Sequence, residues 1–561
     1  MSTLEDLGLR CSVVPVLRFR VERLYELLKR EPRELSDILF RLKCESEESE
    51  GYLEVEVNAD RPDMFMGEGL ARAVKGILGA EVGWLKPKVV DSGFKLIVED
   101  VPTRPYIVAA VVYNVNIDSN YYLEELIQFQ EKLHEGLGRR RRKAAIGLHD
   151  ADKIPGRTLR YAMAPVDVVF KPLGYTNPVE AREVLERDVK GVEYGWIARL
   201  GDLHPFIFSD DEIITMPPVL NSDITRLEVG TRSIFIDVTS TDLQVAEAVL
   251  NILVSNLAER PGAYVGAVDV IAPWGGVYPK LEPKTIKLMS GDVNRVLGTS
   301  LNVIELEGIL KRMRYNVRVE GETLEVEVPP YRVDVEGVVD VAEDVAIAIG
   351  YEELNPTLWQ PGMRGGYHEL SRLSRSVRLI LVGLGFTEVM RLTLTSPQLL
   401  EVLGLREEAL EVLNPVQVEY SVLRPAMVAS LLNLLTENRH SPKPVKVFEI
   451  GPIVAKVGGE IVEDERVGLA VMDDEVSYED IQAPVYYMLK ALGVNFTVKS
   501  SVTPYTINGR TGEIVVGGVK LGILGEVRPE VLERLKLEYP VAVAEISLGK
   551  LLESLKELGR E

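Results

Sequence analysis

Apolar residues recur along this chain with two different periods, and the switches between them lay out a mixed fold. From residue 21 to 43, Val21, Leu24, Leu27, Leu28, Leu35, Ile38, Leu39 and Leu42 keep helical spacing, interrupted at Pro32. YLEVEV then alternates strictly, putting Leu53, Val55 and Val57 on one face of a strand. NADRPD reads as a turn, and MGEGLARAVKGILG as a helix closed by Gly79. Much later, LNVIELEGILKRM returns to helical spacing, TLEVEVPP alternates, and Pro329 and Pro330 end that strand. Beyond them Val335, Val338, Ala342, Val345 and Ile349 are spaced as a helix that starts near Asp334 and stops at Gly350. No repeat of fixed period and no low-complexity tract interrupts the pattern. The fold class this predicts is α+β, mixed and multidomain.

Two stretches rich in proline and glycine, APWGGVYPKLEPK (272–284) and NPTLWQPGMRGG (355–366), mark boundaries, and VPTRPY (101–106) marks a softer one. The expected parts are residues 1–100, 101–275, 283–354 and 360–561. A chain of 561 residues has room for about three to five domains of ordinary size.

Composition narrows the function classes. Apolar residues are 46% and charged residues 27%, as in globular proteins, and no run approaches the roughly 20 apolar residues of a membrane span. MSTLEDLGLRCSVV has no basic region followed by an apolar core, so it does not read as a secretory signal. Cys11 and Cys44 are too few for a disulfide framework and are not spaced as a metal site. A cytoplasmic setting without a membrane partner is expected. The net charge of −22 repels phosphate backbones on average, so a nucleic-acid role requires a local basic surface or a basic partner. HEGLGRRRRKAAIGLHD supplies one such run, Arg139 to Lys143. That run is either a solvated loop or a contact for phosphate or for an acidic partner surface.

The segment PPYRVDVEGVVDVAEDVAIAIGY concentrates Asp334, Glu336, Asp340, Glu343 and Asp344. On a helix, like charges at i, i+4 cost about 0.2–0.5 kcal/mol per pair, and the helix dipole helps only in the first turn. Either the acids form a hydrated face or pair with bases elsewhere, or several meet a hard divalent cation. All-oxygen ligation without His or Cys suits magnesium.

The same segment, read as P-x-Y-R-x-D-x(5)-D-x-x-E-D followed by IGY, resembles the metal-binding domain of the phenylalanyl-tRNA synthetase β-subunit family. VNADRPDMFMGEGLARAVKGILG resembles that family's amino-terminal signature, with Asn58, Arg61, Asp63, Glu68, Gly69 and Arg72 in place. LHEGLGRRRRKAAIGLHDADKI, PPVLNSDITR and IFIDVTSTD are similar to the central domain of the archaeal and eukaryotic type. LNPVQVEYSVLRPAMVASLL, VKVFEIGPI and LGILGEVRPEVL resemble its class II synthetase-like end. The motifs come in family order and span almost the whole chain. The chain leaves no room for the inserted oligonucleotide-binding fold or the anticodon-binding domain of the bacterial form.

The resemblance implies an N-terminal α/β domain, a central editing-like domain, a small metal-binding α/β domain and a class II-like antiparallel sheet with helices. It implies an α2β2 assembly whose α subunit binds ATP and phenylalanine and charges tRNA(Phe). It places Mg2+ on Asp334, Asp340, Glu343 and Asp344, with Glu336 as a substitute for Asp344, which is Glu in many relatives.

Catalysis by the class II-like end itself is not expected. Arg424 in SVLRPAM could mimic the arginine that binds the ATP α-phosphate, but Pro425 and a helix-like MVASLLNLL follow it. No glycine-rich segment ending in a second arginine is evident, so Arg424 reads as structural. The central domain resembles a module that hydrolyses tRNA charged in error with tyrosine. Its pocket candidates are Asn221, Ser222 and Thr225 after Pro217 and Pro218, then Asp237 and Thr239, with His149 as a structural histidine nearby. The alternative is a purely structural subunit whose editing site has decayed.

Overall fold

The computed structural model describes residues 15–29, 35–358, 362, 365–557 and 559, so Cys11 and Pro32 lie outside the described residues. The chain is mixed α and β and divides into two compact units, residues 1–358 and 359–561.

The first unit opens with a three-stranded antiparallel sheet in the order Val16–Arg20, Tyr52–Glu56, Glu45–Ser49. Leu53 and Val55 of its middle strand are buried as the alternation predicts, and the helices Val21–Leu28 and Leu35–Arg41 bury Leu24, Leu28, Ile38 and Leu39. The helix Gly67–Ile77 is buried on nearly every side. Gly69 permits this, because a Cβ there would fall 1.8 Å from the Asp63 carbonyl oxygen and 2.3 Å from Asn256 Oδ1. Arg61 grips Asp63 through two bonds of 2.8 and 3.0 Å, and the Arg72 guanidinium lies 3.7 Å from the ring centre of Tyr331.

The centre of this unit is a ten-stranded sheet. Its order is Leu220–Asn221, Glu212–Met216, Leu203–Ser209, Thr158–Pro165, Val89–Val98, Tyr264–Ile271, Tyr106–Tyr113, Ile234–Ser240, Ala144–Asp150, with Gly276–Tyr278 added beside Tyr264–Ile271. Val89–Val98 runs parallel to both neighbours, and the other pairs are antiparallel. Val89–Val98, on the first-part side of the boundary expected near residue 100, sits mid-sheet and buries Phe94 and Leu96. The helix Leu243–Leu257 packs on Tyr106–Tyr113 and Ile234–Ser240. Strand Ile234–Ser240 is buried along its whole length.

Residues 284–349 form a smaller antiparallel sheet, Lys284–Met289, Thr323–Val328, Asn316–Glu320, with the helices Ser290–Leu297, Val303–Arg312 and Val338–Ile349. The last helix begins at Val338, four residues after its expected start. Gly337 is its N-cap, and Asp334 and Glu336 precede it. The carboxylate of Asp340 accepts the Glu336 and Gly337 amides at 2.8 Å, which fixes that start. One buried apolar cluster runs from Leu17 to Ala348 through all these parts.

The second unit holds a seven-stranded sheet in the order Thr387–Glu388, Val445–Val457, Glu460–Met472, Val541–Ser547, Val519–Val527, Thr506–Val516, Thr497–Ser500. Only the first pair is parallel. Period-2 alternation gives it two apolar faces. Val467, Leu469 and Val471 meet the helices Glu369–Gly383, Tyr478–Ala491 and Leu548–Glu557, while Ala470 and Met472 meet Pro397–Leu403 and Met427–Glu437. MVASLLNLL is helical, as expected. Arg424 is buried, with Nη1 donating to Glu449 Oε1 at 2.6 Å and to Ser430 Oγ at 3.1 Å, and Nε to the Pro452 carbonyl at 3.0 Å. Its charge is spent inside the unit.

Candidate functional site

The first and last strands in the order of the ten-stranded sheet are brought together by side chains. Asn221 Nδ2 donates to the Leu148 carbonyl at 3.0 Å, while Asn221 Oδ1 accepts from Thr215 Oγ1 at 2.9 Å. Arg141 Nη1 donates to the carbonyls of Pro218 and Val219 at 3.0 and 2.9 Å. The sheet thus curls toward closure without a backbone ladder at the joint, and a cleft opens there. Asn221 and Asp237 line it, together with Gln130, Glu131, Arg141 and Lys190.

Asp237 is buried, and its Oδ1 faces His149 Nε2 at 2.9 Å, while His149 Nδ1 faces Thr225 Oγ1 at 2.7 Å. A carboxylate only accepts, so Nε2 carries a proton toward Asp237, while Nδ1 bonds the threonine hydroxyl. Threonine, histidine and aspartate form one chain of bonds. Gly147 leaves room for it, since a Cβ there would fall 2.1 Å from Asp237 Oδ1 and 2.8 Å from His149 Nε2. Asp237 lines the cleft, and among the described residues its side-chain hydrogen bond is the one at Oδ1.

Opposite stands an ionic group from the helix Asn120–Glu135. Glu131 Oε1 accepts from Arg141 Nη2 at 2.7 Å, and Glu131 Oε2 lies 3.4 Å from His134 Nδ1. His134 Nε2 accepts the Ile146 amide at 2.8 Å, which commits the ring to its neutral form, and burial lowers its pKa accordingly. Burial opposes ionisation of Glu131, but the bond from His134 and the charge of Arg141 outweigh it and hold the carboxyl at about 2.

The structure separates the sequence candidates. Asn221 and Asp237 line the cleft. Thr225 stands behind it, through His149. Ser222 is buried with Oγ donating to the Lys171 carbonyl at 3.0 Å. Thr239 is buried too, accepting at Oγ1 from Arg104 Nε at 3.2 Å. Ser222 and Thr239 therefore support the walls. Glu131, Arg141 and Lys190 were missed as site residues; Glu131 and His134, three apart on one helix, were the signal for the first.

The four carboxylates assigned to magnesium do not converge. Asp334 takes a two-pronged contact from Arg332 at 2.9 and 2.7 Å, and Asp344 is buried between Arg332 Nη1, at 2.8 Å, and the Tyr315 hydroxyl. Asp340 caps its helix. Glu343 pairs with Lys43 at 3.1 Å, and Lys43 also holds Asp60 at 2.7 Å. Glu336 lies outside the helix and offers its backbone carbonyl to Lys284 at 2.8 Å. Among the described residues no three His, Cys, Asp or Glu side chains are placed to hold a metal ion. In this arrangement these acids pair with bases and cap a helix.

No helix among the described residues is long and apolar enough to cross a membrane. Residues 286–351 match the tRNA synthetase B5 domain, and residues 354–548 match the phenylalanyl tRNA synthetase beta chain CLM domain. The phenylalanine–tRNA ligase beta subunit of Aeropyrum pernix is 52% identical over 95% of this chain and 98% of its own length. That of Sulfurisphaera tokodaii is 39% identical over 97% of this chain and all of its own. An N-terminal fragment of the phenylalanyl-tRNA synthetase beta subunit from Pyrococcus horikoshii superposes with a TM-score of 0.58 at 33% identity, covering 60% of this chain and all of the fragment. With identity of this order sustained from end to end, the chain belongs to the family of phenylalanine–tRNA ligase beta subunits.

Proposed function

We propose that the chain is the β half of a cytoplasmic α2β2 phenylalanine–tRNA ligase whose α partner binds ATP and phenylalanine and charges tRNA(Phe), and that its cleft hydrolyses tyrosyl-tRNA(Phe). The division of labour is supported by Arg424, the residue nearest in type to a phosphate-binding arginine of the class, which is buried against Glu449.

The observation that carries the hydrolytic reading is the Asp237 carboxylate, which lines the cleft and is fixed at Oδ1 by His149. Ester hydrolysis needs a water oriented on the carbonyl carbon and a group to take its proton. The Asp237 carboxylate accepts that proton as the water oxygen bonds to the carbonyl carbon. The bond from that carbon to the ribose oxygen then breaks, the ribose oxygen receives the proton, and tyrosine and free tRNA leave. A polar partner for the tyrosine hydroxyl selects against phenylalanine, which lacks that hydrogen bond. Glu131 and Lys190 are polar groups of the cleft able to serve.

The test is deacylation of tyrosyl-tRNA(Phe) by the reconstituted ligase. Wild type should release tyrosine, and Asp237→Asn should abolish release while charging with phenylalanine continues. A wild-type complex that leaves tyrosyl-tRNA intact would show a purely structural subunit.

A further inference from the structure

The basic run beside the cleft is held by contacts that its own sequence does not supply. Arg139, Arg140 and Arg141 all have positive φ, 48°, 52° and 61°, a region in which consecutive residues with side chains are strained. Two buried arginines hold them there. Arg141 turns inward, bonding Pro218, Val219 and Glu131, with its guanidinium 4.6 Å from the Tyr194 ring centre. Arg104, fully buried, donates Nη1 to the carbonyls of Arg141 and Arg142 at 2.9 and 3.4 Å. Among the described residues no carboxylate pairs with Arg104, and burial lowers its pKa to about 10. A buried cation is costly, and here it is spent on fixing the carbonyls of a surface loop.

Fixing the loop leaves Arg139, Arg140 and Arg142 exposed on either side of Arg141, which lines the cleft. Beside Arg142, Trp196 is 61% exposed, its ring fixed by a bond of 2.8 Å from Nε1 to the Glu193 carbonyl. The Arg142 guanidinium lies 5.4 Å from its ring centre. Trp196 follows the short helix Val189–Tyr194, whose Lys190 lines the same cleft. An exposed, preordered indole with a guanidinium beside it and further exposed arginines in the same loop suits single-stranded nucleic acid, which offers base faces to stack and phosphates to neutralise. In a chain of net charge −22, this is a place where a phosphate backbone can approach.

We propose that Arg139, Arg140, Arg142 and Trp196 form a landing platform for the single-stranded 3′ end of a tRNA, the guanidiniums taking its phosphates and the indole stacking a base, so that the terminal ester enters the cleft. This rests on the hydrolytic reading for its purpose but not for the binding itself.

The experiment uses the reconstituted ligase and a fluorescent single-stranded RNA with the sequence of the tRNA 3′ end, measured by anisotropy across a salt series. Trp196→Ala should weaken binding roughly ten- to a hundred-fold, and Trp196→Phe, which keeps a stacking face, should recover most of it. Arg139→Asn with Arg140→Asn, a residue that tolerates positive φ, should lower the slope of log affinity against log salt by about 1.4, two single-strand phosphate contacts. The same variants should raise KM for tyrosyl-tRNA deacylation and leave its kcat near wild type. Unchanged affinity and slope in both variants would overturn the platform, as would loss of α–β assembly with RNA binding intact, which would make the patch a protein interface. If the RNA binds as expected and tyrosyl-tRNA survives, the platform stands and the hydrolytic reading fails.

Discussion

Asn221 joins the two ends of the ten-stranded sheet by donating its side-chain amide to the carbonyl of Leu148 at 3.0 Å. No other side chain of the candidate set spans that joint and lines the cleft as well.

Replacing Asn221 with Ala removes the side-chain donor to the Leu148 carbonyl and leaves the Thr215 hydroxyl only its 3.5 Å contact with the Leu220 carbonyl. The expected cost is about 1–3 kcal/mol of stability, and a cleft of altered width should slow tyrosyl-tRNA deacylation roughly ten- to a hundred-fold. Hydrogen exchange along Ala144–Asp150 should quicken in parallel. Unchanged exchange with slowed deacylation would instead assign Asn221 a direct contact with substrate.

His149 is expected to act through Asp237. Gln at this position can donate to the aspartate and accept from Thr225, whereas Leu fills space and does neither. His149→Gln should retain most of the deacylation rate and His149→Leu should lose kcat by roughly tenfold or more with little change in KM. Equal losses in both variants would reduce His149 to a packing residue.

A second buried carboxylate makes a pH prediction. Glu125 Oε1 accepts the Gly67 amide at 2.7 Å, and burial together with neighbouring Glu68 pushes its carboxyl up to about 8. The folded protein therefore holds a proton there that the unfolded chain releases near 4.5, so stability falls as pH rises across that window. Glu125→Gln keeps the acceptor and removes the titration. Thermal midpoints of wild type should fall more steeply from pH 5 to 8 than those of the variant.

The acidic helix predicts two costs of different size. Asp340→Ala removes an N-terminal cap, worth about 1 kcal/mol. Asp344→Asn leaves buried Arg332 short of one counter-charge, a break worth about 3–5 kcal/mol. Urea unfolding should rank them so, and the ranking should be the same in magnesium and in chelator. A difference that appears only with magnesium would restore the ion.

Local periodicity was legible where one segment decides the outcome: Leu53 and Val55, or Leu324 and Val326, alternate because one sheet face is buried. It failed where a neighbour decides. Val89–Val98 carries Asp91, Ser92 and Gly93 in its middle, and Gly93 has φ of 72°. These turn-forming residues sit where the pairing with Tyr264–Ile271 shifts register, so the alternation that marks a strand is broken there. Val335 fits the helical period, yet the Asp340 carboxylate claims the amides of Glu336 and Gly337 and moves the helix start past it. At the site, Asn221 and Asp237 were within reach of motif comparison. Glu131 and Arg141 lie ten residues apart with Lys190 well beyond them, and it is the fold that brings all three to one cleft with Asn221 and Asp237.

The stacking of Arg72 on Tyr331 has a consequence for inheritance. The amino-terminal signature around Arg61, Asp63 and Arg72 and the acidic-segment signature around Tyr331, Arg332 and Asp334 look like two independent fingerprints, yet the charges of Arg332 and Asp334 reach Arg61 in one buried knot. Neither half is complete alone, so substitutions at 72 and 331 should covary among relatives. A chimera that takes only one half from a distant homologue should misassemble, and exchanging both together should rescue it.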